Sequence, residues 1–278
     1  MKKTFNTKVS ALMKKSGFWA LLLLVSLGGF VGAKKVKKAP APVKKAKPKA
    51  KMLTVNQIIA RMDANNVFGT RKALTIMKIF KNGRTRVKKL LSYSRGEDTS
   101  YSEFLSPARD KGVKYLKIKN NLWMYLPAAE KIIKISGHML RQSMMGSDFS
   151  YEDMLDATAL RERYTSKVSK IEKIDGHDCY LIVMKQKKKG ETYPTRKVWV
   201  DKKLFVARRS ELFAASGKLL KVSTVHNIKT IGKRKYATRV RMMNKLRKGT
   251  WTEIVLKKIE FSVKLPGGIF TKRNLESE

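Results

Sequence analysis

Residues 73–93 read ALTIMKIFKNGRTRVKKLLSY, and this stretch sets the pattern for the rest of the chain. Two runs rich in apolar and β-branched residues, 73–80 and 84–93, flank the dipeptide Asn82-Gly83. Asparagine and glycine tolerate the positive φ angles of a tight hairpin turn, so this dipeptide is a strong local signal for two antiparallel strands. The sequence therefore predicts a β-hairpin here.

Strand signals separated by turn residues continue to the end of the chain. Further strands are predicted at residues 113–119, 122–126, 131–136, 168–174, 179–185, 196–201, 204–211, 219–230, 235–244 and 250–263. Two of the turns between them are predicted at Asn120-Asn121 and at Asp175-Gly176. Helix is predicted mainly at residues 55–62, where Thr54 can act as the N-cap. So many strands with so little helix predict a mainly β fold, in which a curved antiparallel sheet forms an open half-barrel covered by short helices.

The cover of this sheet is expected to come from the N-terminal helix and from residues 137–163, which interrupt the strand pattern. Methionine is frequent in this segment, and its unbranched thioether makes apolar walls that adapt to flexible ligands. The candidates for the cover or for an apolar cavity are Met139, Leu140, Met144, Met145, Phe149, Tyr151, Met154 and Leu155. The alternative is that these side chains simply fill the core between the sheet and its helices.

Acidic residues are concentrated within the same segment, where five of the chain's 21 lie between residues 148 and 162. Ser150 can serve as a helix N-cap with Glu152 and Asp153 in the first turn, where negative charge meets the positive helix end. Capping alone does not account for Asp148. A docking or gating loop is therefore the functional alternative, and its candidate contacts with a partner are Asp148, Glu152 and Asp153.

The first 51 residues contain no Asp or Glu and form a separate compositional block. Lysines, an apolar run and small residues predict a Sec-type signal peptide over residues 1–33, and hence an exported protein. Residues 34–51 hold nine lysines and predict a basic linker that touches anionic lipid transiently at a membrane face, or else a solvated spacer. Because lysines follow the predicted cut directly, the alternative is that the N-terminus stays uncleaved and anchors the chain in the inner membrane. Residues 52–278 are then the folded domain.

The formal net charge is +42, which first suggests nucleic-acid binding because phosphates release counterions to a polycation. An exported chain does not meet nucleic acid, and no zinc-finger or RNP motif is present. The three histidines belong to no hydrolase or zinc-protease motif. Cys179 falls on an apolar side of its strand and is expected to be buried. We therefore expect no enzymatic activity, no cofactor and no metal site.

Several runs in the body of the chain follow one another in a familiar order. A W-x-Y-x-P strand contains Trp123, Tyr125 and Pro127, and MGSDFSYEDM follows it at residues 145–154. The further runs are VWVDKKLFVARRSELF at residues 198–213, MMNKLRKGTWTEIVLKKIEF at 242–261 and PGGIFTKRNLE at 266–276. Together these runs resemble the LolA-like outer-membrane lipoprotein-sorting proteins of Gram-negative envelopes, a family with a LolA/LolB-like fold.

The resemblance implies a periplasmic carrier whose half-open barrel, closed by helices, shelters the acyl chains of a lipoprotein or another lipid and ferries them toward the outer membrane. It adds Trp123 and Tyr125 to the candidates for the lipid cavity. It also suggests association with an RND-type exporter. The alternative is a non-catalytic structural or adhesive envelope protein whose basic surface binds anionic lipid or lipopolysaccharide.

Overall fold

The computed structural model describes residues 52–66, 68–155 and 160–276. The predicted signal peptide, residues 1–33, and the predicted basic linker, residues 34–51, lie outside these described residues. No helix within the described ranges is both long and apolar enough to cross a membrane.

The chain enters the fold through helix α1, Val55–Asn66. Its start is a reciprocal capping box, as Thr54 Oγ1 accepts a hydrogen bond from the Gln57 backbone N–H at 3.3 Å and Gln57 Oε1 accepts one from the Thr54 N–H at 2.9 Å. The N-cap predicted at Thr54 is therefore confirmed. The helix runs one turn further than its apolar spacing predicted.

Thirteen antiparallel strands form one open sheet within the described residues. They are β1 Thr70–Lys81, β2 Arg84–Arg95, β3 Thr99–Ser106, β4 Lys114–Ile118, β5 Asn121–Leu126, β6 Lys131–Ile135, β7 Tyr164–Ile174, β8 His177–Gln186, β9 Thr195–Asp201, β10 Ala207–Phe213, β11 Leu219–Ile231, β12 Arg234–Asn244 and β13 Trp251–Phe261. The predicted mainly β fold class is confirmed, although β3 was not predicted.

The sheet consists of two meanders, β1–β6 and β7–β13, joined where β1 pairs with β13. This pairing puts β6 at one outer edge of the sheet and β7 at the other. The segment between them, residues 136–163, must therefore connect the two edges. We call this segment the insert; it contains two 3₁₀ turns, Gly137–Arg141 and Met144–Gly146, and the short helices α2, Tyr151–Leu155, and α3, Leu160–Arg163.

Local turn chemistry explains the hairpins. Asn82 and Gly83 have φ angles of 51° and 72°, and Asp175 and Gly176 have 48° and 78°, the paired positive values of a two-residue hairpin turn. Both predicted turns are confirmed. The turn between β4 and β5 falls one residue earlier than predicted, because Lys119, at φ 51°, takes the left-handed position.

The two faces of the sheet are covered by different segments. The inner face packs against α1 and the insert, through side chains such as Phe104 of β3 and Ile182 of β8. The outer face of β3–β6 packs against the C-terminal segment, residues 264–276, which ends in helix α4, Arg273–Glu276. Leu275 of α4 is fully buried there. The sheet is therefore sandwiched in its first half and covered mainly on its inner face in its second.

Candidate functional site

A cavity of about 520 Å³ opens on the inner face of the second meander, between α1 and the insert. Apolar side chains make up most of its wall: Ile59, Met62, Phe149, Leu160, Ile182, Met184, Val198, Ala207, Leu212 and Met242. Polar and charged residues also contribute: Asp63, Glu97, Asp153, Arg161, Glu162, Arg196, Ser210 and Ser223. The site is thus a concave apolar chamber with charged groups around it.

The floor of the cavity is one row of side chains that crosses five strands. Ile182 lies opposite Val198, Val198 opposite Ser210, Ser210 opposite Ser223, and Ser223 opposite Met242. Because side chains directly opposite each other in antiparallel strands point to the same face, all five look into the cavity. The two serines in the middle of the row are small, so they leave the hollow that larger residues would fill.

Helix α1 forms one part of the roof. Its Ile58 is fully buried in a cluster with Tyr164, Tyr180 and Val200, while Ile59 and Met62 turn toward the cavity. The helix end is fastened by Asn65. Its side-chain amide donates to the Leu204 carbonyl oxygen at 3.1 Å, and its amide oxygen accepts from the Lys235 backbone N–H at 2.8 Å.

Asp148 fixes the insert, the other part of the roof, to the centre of the sheet. Its two carboxylate oxygens accept hydrogen bonds from the hydroxyls of Thr250, just before β13, and of Thr252 in β13, each at 2.7 Å, and the Asp148 side chain is buried. The structure therefore puts this candidate docking residue beneath the surface. In this conformation it anchors the insert and is not exposed to a partner.

Asp153 supplies a second anchor, next to the cavity. Its carboxylate pairs with Lys221 Nζ of β11 at 2.5 Å, and both side chains are more than nine-tenths buried. The same carboxylate accepts from the Tyr193 hydroxyl at 3.2 Å and from the Ser150 backbone N–H at 2.7 Å. Burial, followed by the nearby Asp153 charge, raises the pKa of Tyr193 above its usual range, so the phenol stays a donor. Glu152, the third docking candidate, is partly buried.

The two roof segments touch each other at the cavity mouth. Arg161 of α3 and Asp63 of α1 form an ion pair with both side chains about half exposed, 53% and 50%. Glu97, in the turn between β2 and β3, also reaches this mouth. Burial raises the pKa of Glu97, and the charges of Asp63 and Asp98 raise it further.

Most of the predicted cover residues lie over the first meander, outside the cavity. Met144 and Tyr151 are buried against Phe104, Tyr115 and Met124. The same cluster takes in the partly buried candidates Met139, Leu140, Met145, Phe149, Met154 and Leu155. Phe149 also lines the cavity. In this region the alternative reading, a filled core, describes the packing.

Trp123 and Tyr125 are on the outer face, where they pack beneath the C-terminal segment with Ile269 and Leu275. They alternate along β5 with Leu122 and Met124, which face the insert. Period-two alternation therefore puts Trp123 and Tyr125 on the side of the sheet away from the cavity.

Apart from Phe149 and Asp153, the sequence did not predict the residues that form the cavity walls, such as Met62, Met184 and Met242. Each belongs to a correctly predicted element with an apolar face. An apolar face has the same pattern whether it packs against a solid core or a hollow, so the sequence held no local signal for the difference.

Cys179 is fully buried on the outer face with Leu181 and Trp199. Burial raises the pKa of its thiol to about 11. The prediction that this cysteine is a small buried apolar residue is confirmed.

Comparison with known proteins identifies relatives of this architecture. A family model described only as "Uncharacterized protein" matches residues 96–277. A DUF1329 family protein from Desulfovibrio piger has a similar structure at 26% identity, with a TM-score of 0.74 over 79% of this chain and 96% of that one. No curated protein matches the chain significantly.

Two further solved structures share the fold. One is a putative outer membrane lipoprotein-sorting protein domain from Vibrio parahaemolyticus, at 25% identity and a TM-score of 0.70 over 80% of this chain and 97% of that one. The other is a LolA superfamily protein from Nitrosomonas europaea, at 22% identity and a TM-score of 0.68 over 80% and 100%. The chain therefore belongs to the family whose model spans residues 96–277, and its fold is similar to that of the lipoprotein-sorting protein domain and of the LolA superfamily protein.

Proposed function

We propose that this protein is a carrier that binds the acyl chains of a lipid or lipoprotein in the inner-face cavity. The observation that carries the proposal is the cavity of about 520 Å³, with its apolar walls and two-part roof. Ligand pockets in proteins commonly span about 300–1,000 Å³ and are mostly apolar. The lining methionines, Met62, Met184 and Met242, can repack around chains of different shape.

An acyl chain needs such a cavity because its exposure to water is strongly unfavourable. Moving one CH₂ group from water to an apolar environment gains about 0.8 kcal/mol, so a sixteen-carbon chain gains on the order of 12 kcal/mol. A lipid stabilised to this extent in a membrane crosses an aqueous space only when a protein offers an equivalent environment. The relative whose name says lipoprotein-sorting supports the same function here.

Uptake and release require part of the roof to move, and we assign this motion to the contact between α1 and α3. The Arg161–Asp63 pair is half exposed, and exposed ion pairs contribute only about 0.2–1 kcal/mol. The insert, in contrast, is held by the buried carboxylates of Asp148 and Asp153. Separating α1 from α3 at the mouth therefore costs less free energy than breaking the anchors at Asp148 and Asp153.

The carrier is proposed to act in the periplasm, without catalysis and without a cofactor. Removal of residues 1–33 as a signal peptide would leave residues 34–51 as a basic arm able to touch a membrane. Transport toward the outer membrane, and an RND-type exporter as partner, complete this proposal on the strength of the family resemblance.

A cavity-filling substitution tests the proposal. Ser223→Phe puts a large side chain into the floor, whereas Thr224→Phe, one residue further on the same strand, puts it on the outer face. Full-length proteins would be titrated with a fluorescent fatty acid, and circular dichroism would check that the sheet is intact. We expect Ser223→Phe to weaken binding about tenfold or more, since displacing even two CH₂ groups costs about 1.6 kcal/mol.

The Thr224→Phe control is expected to bind the probe like the original chain. If folded Ser223→Phe protein binds the fatty acid as well as its control does, the cavity is not the acyl site. The structural or adhesive reading would then replace the carrier.

A further inference from the structure

Three neighbouring turns at one end of the sheet contain no acidic residue. They join β1 to β2, β10 to β11 and β12 to β13, and they lie side by side because β1 pairs with β13, β13 with β12 and β12 with β11. Residues 81–85, 214–220 and 244–250 include no Asp or Glu. We call these three turns the basic end; its exposed cations are Lys81, Arg84, Lys218, Lys245, Arg247 and Lys248.

A leucine stands among these cations. Leu246 is 57% exposed, more than any other large apolar side chain among the described residues. Its turn is well ordered, as the Leu246 backbone N–H donates to Asn244 Oδ1 at 2.9 Å and the Lys245 N–H donates to the Leu220 carbonyl oxygen at 2.8 Å. The base of the turn is tied down by the bond from Thr250 to Asp148. The fold therefore presents this leucine outward on a fixed support.

The opposite end of the sheet has a different charge pattern. Its turns between β2 and β3 and between β7 and β8 carry Glu97, Asp98, Asp175 and Asp178 at or beside the corner. The three turns of the basic end therefore differ from these two corners in having no carboxylate beside their cations. An unbroken cationic surface with an apolar tip occurs at the basic end.

We propose that the basic end docks on an anionic lipid bilayer, with Leu246 entering the interface and the surrounding Lys and Arg side chains contacting lipid phosphates. Basic side chains near an anionic leaflet are attracted to it, and an apolar side chain among them gains by entering the headgroup boundary. A soluble polyanion would satisfy the cations but offers no apolar layer for the leucine. The bilayer is therefore the partner that fits both features.

This inference goes beyond the acyl-binding cavity and does not require it. It also assigns membrane contact to a part of the folded domain, separate from the basic arm of residues 34–51. A carrier that meets its membrane through the basic end would approach with the strand axes steep to the surface.

Depth of insertion is the direct test, and it is made on the full chain. Leu246→Cys would be labelled with an environment-sensitive dye, with Lys203→Cys, in the turn between β9 and β10 at the opposite end, as the matched control. Cys179 is fully buried and should not compete for the label. The vesicles would be phosphatidylcholine alone or phosphatidylcholine mixed with phosphatidylglycerol.

We expect a blue shift, and quenching by lipid-borne quenchers, for the dye at position 246 with the anionic vesicles only. The dye at position 203 should stay in water. Vesicle-bound protein whose position 246 dye remains in water would overturn the proposal, as would a chain that does not bind the anionic vesicles at all.

Charge removal gives a second readout. The triple change K245Q/R247Q/K248Q removes three cations from the basic end, and K203Q/K229Q/K233Q removes three exposed cations from the other end. At about fivefold per cation, the first variant should partition about 100-fold less onto anionic vesicles, while the second changes little. An equal loss in both would mean that only net charge matters and would contradict a specific docking surface. Fatty-acid binding in solution, measured separately, reports on the cavity alone.

Discussion

The two halves of the inner face carry similar apolar residues but use them differently. Over the first meander the insert packs without a described cavity, with Met144 and Tyr151 buried against Phe104 and Tyr115. Over the second meander α1 leaves a hollow of about 520 Å³. Large aromatic residues project from the strands in the first half, whereas serines stand in the middle of the second. The size of the side chains on the sheet, more than the methionine content of the cover, determines which half is hollow.

The border between the halves is held by charged side chains of the insert. Asp148 binds β13 beside the first half, and Asp153 binds β11 beside the cavity. A buried charge costs several kcal/mol unless it is paired and hydrogen-bonded. Asp153 is paired with Lys221, and Asp148 is hydrogen-bonded by two threonine hydroxyls, so both carboxylates hold the insert in place without closing the cavity.

Asp153→Ala is expected to give the largest effect, because it leaves Lys221 buried without its ion-pair partner. Removing one member of a buried pair costs about 3–5 kcal/mol. Chemical denaturation would measure the loss. The double variant D153L/K221M, which removes both charges and keeps apolar volume, should recover much of the stability. A single variant as stable as the original chain would contradict the anchor at the border.

Met144→Ala would test whether the first half is a filled core. Met144 is 7% exposed within that cluster, and truncating a buried methionine costs about 3 kcal/mol. We expect this loss in denaturation experiments while the remaining folded protein binds the fatty-acid probe with unchanged affinity. Weaker probe binding with full stability would mean that the insert core belongs to the ligand site after all.

Asp148→Asn keeps the shape of the side chain but removes its charge from the bonds with Thr250 and Thr252. Hydrogen bonds to a charged group are each worth about 1.5–3 kcal/mol, and since the amide retains part of them we expect a loss of about 2 kcal/mol. Thr250→Val serves as the partner-side control and should cost less. If both variants leave stability unchanged but alter transfer of cargo to membranes, Asp148 is a docking residue and not an anchor.

Arg161→Gln should have the smallest effect on stability, under about 1 kcal/mol, because the pair with Asp63 is half exposed. The substitution should instead make the mouth of the cavity open more readily. Stopped-flow release of the fatty-acid probe is expected to be severalfold faster than in the original chain. Lys248→Gln, a similar change in the turn between β12 and β13 at the other end of the sheet, is the control. Unchanged release would remove the α1–α3 contact from the opening motion.

Local chemistry predicted the hairpins and the first helix because Asn82-Gly83, Asp175-Gly176 and the Thr54 cap act within a few residues. Strand β3 was not predicted because both of its faces are covered, with Tyr101 buried on one and Phe104 on the other. Its apolar and polar residues therefore do not alternate along the sequence with a period of two. The pairing of β1 with β13 is also not local. No short-range signal in the sequence predicted this pairing.

The candidate site was harder to predict than the fold, for a related reason. The apolar side of β8 or β12 can be recognised from alternation, but whether it meets a core or a hollow depends on which strands become neighbours. The row from Ile182 through Ser210 to Met242 exists only once β8 to β12 are assembled. The insert, which the sequence marked by its methionines and acids, supplies the roof at Phe149 and the anchors.

Native mass spectrometry of the protein purified from the cell envelope tests the central claim most directly. The account predicts a mature chain carrying a bound lipid or acylated peptide, which is displaced by the fatty-acid probe and lost in Ser223→Phe but kept in Thr224→Phe. The same spectrum gives the N-terminal residue and so tests the predicted cut after Ala33. A protein that is free of lipid in every variant, and that takes up no fatty acid when offered it, would contradict the carrier.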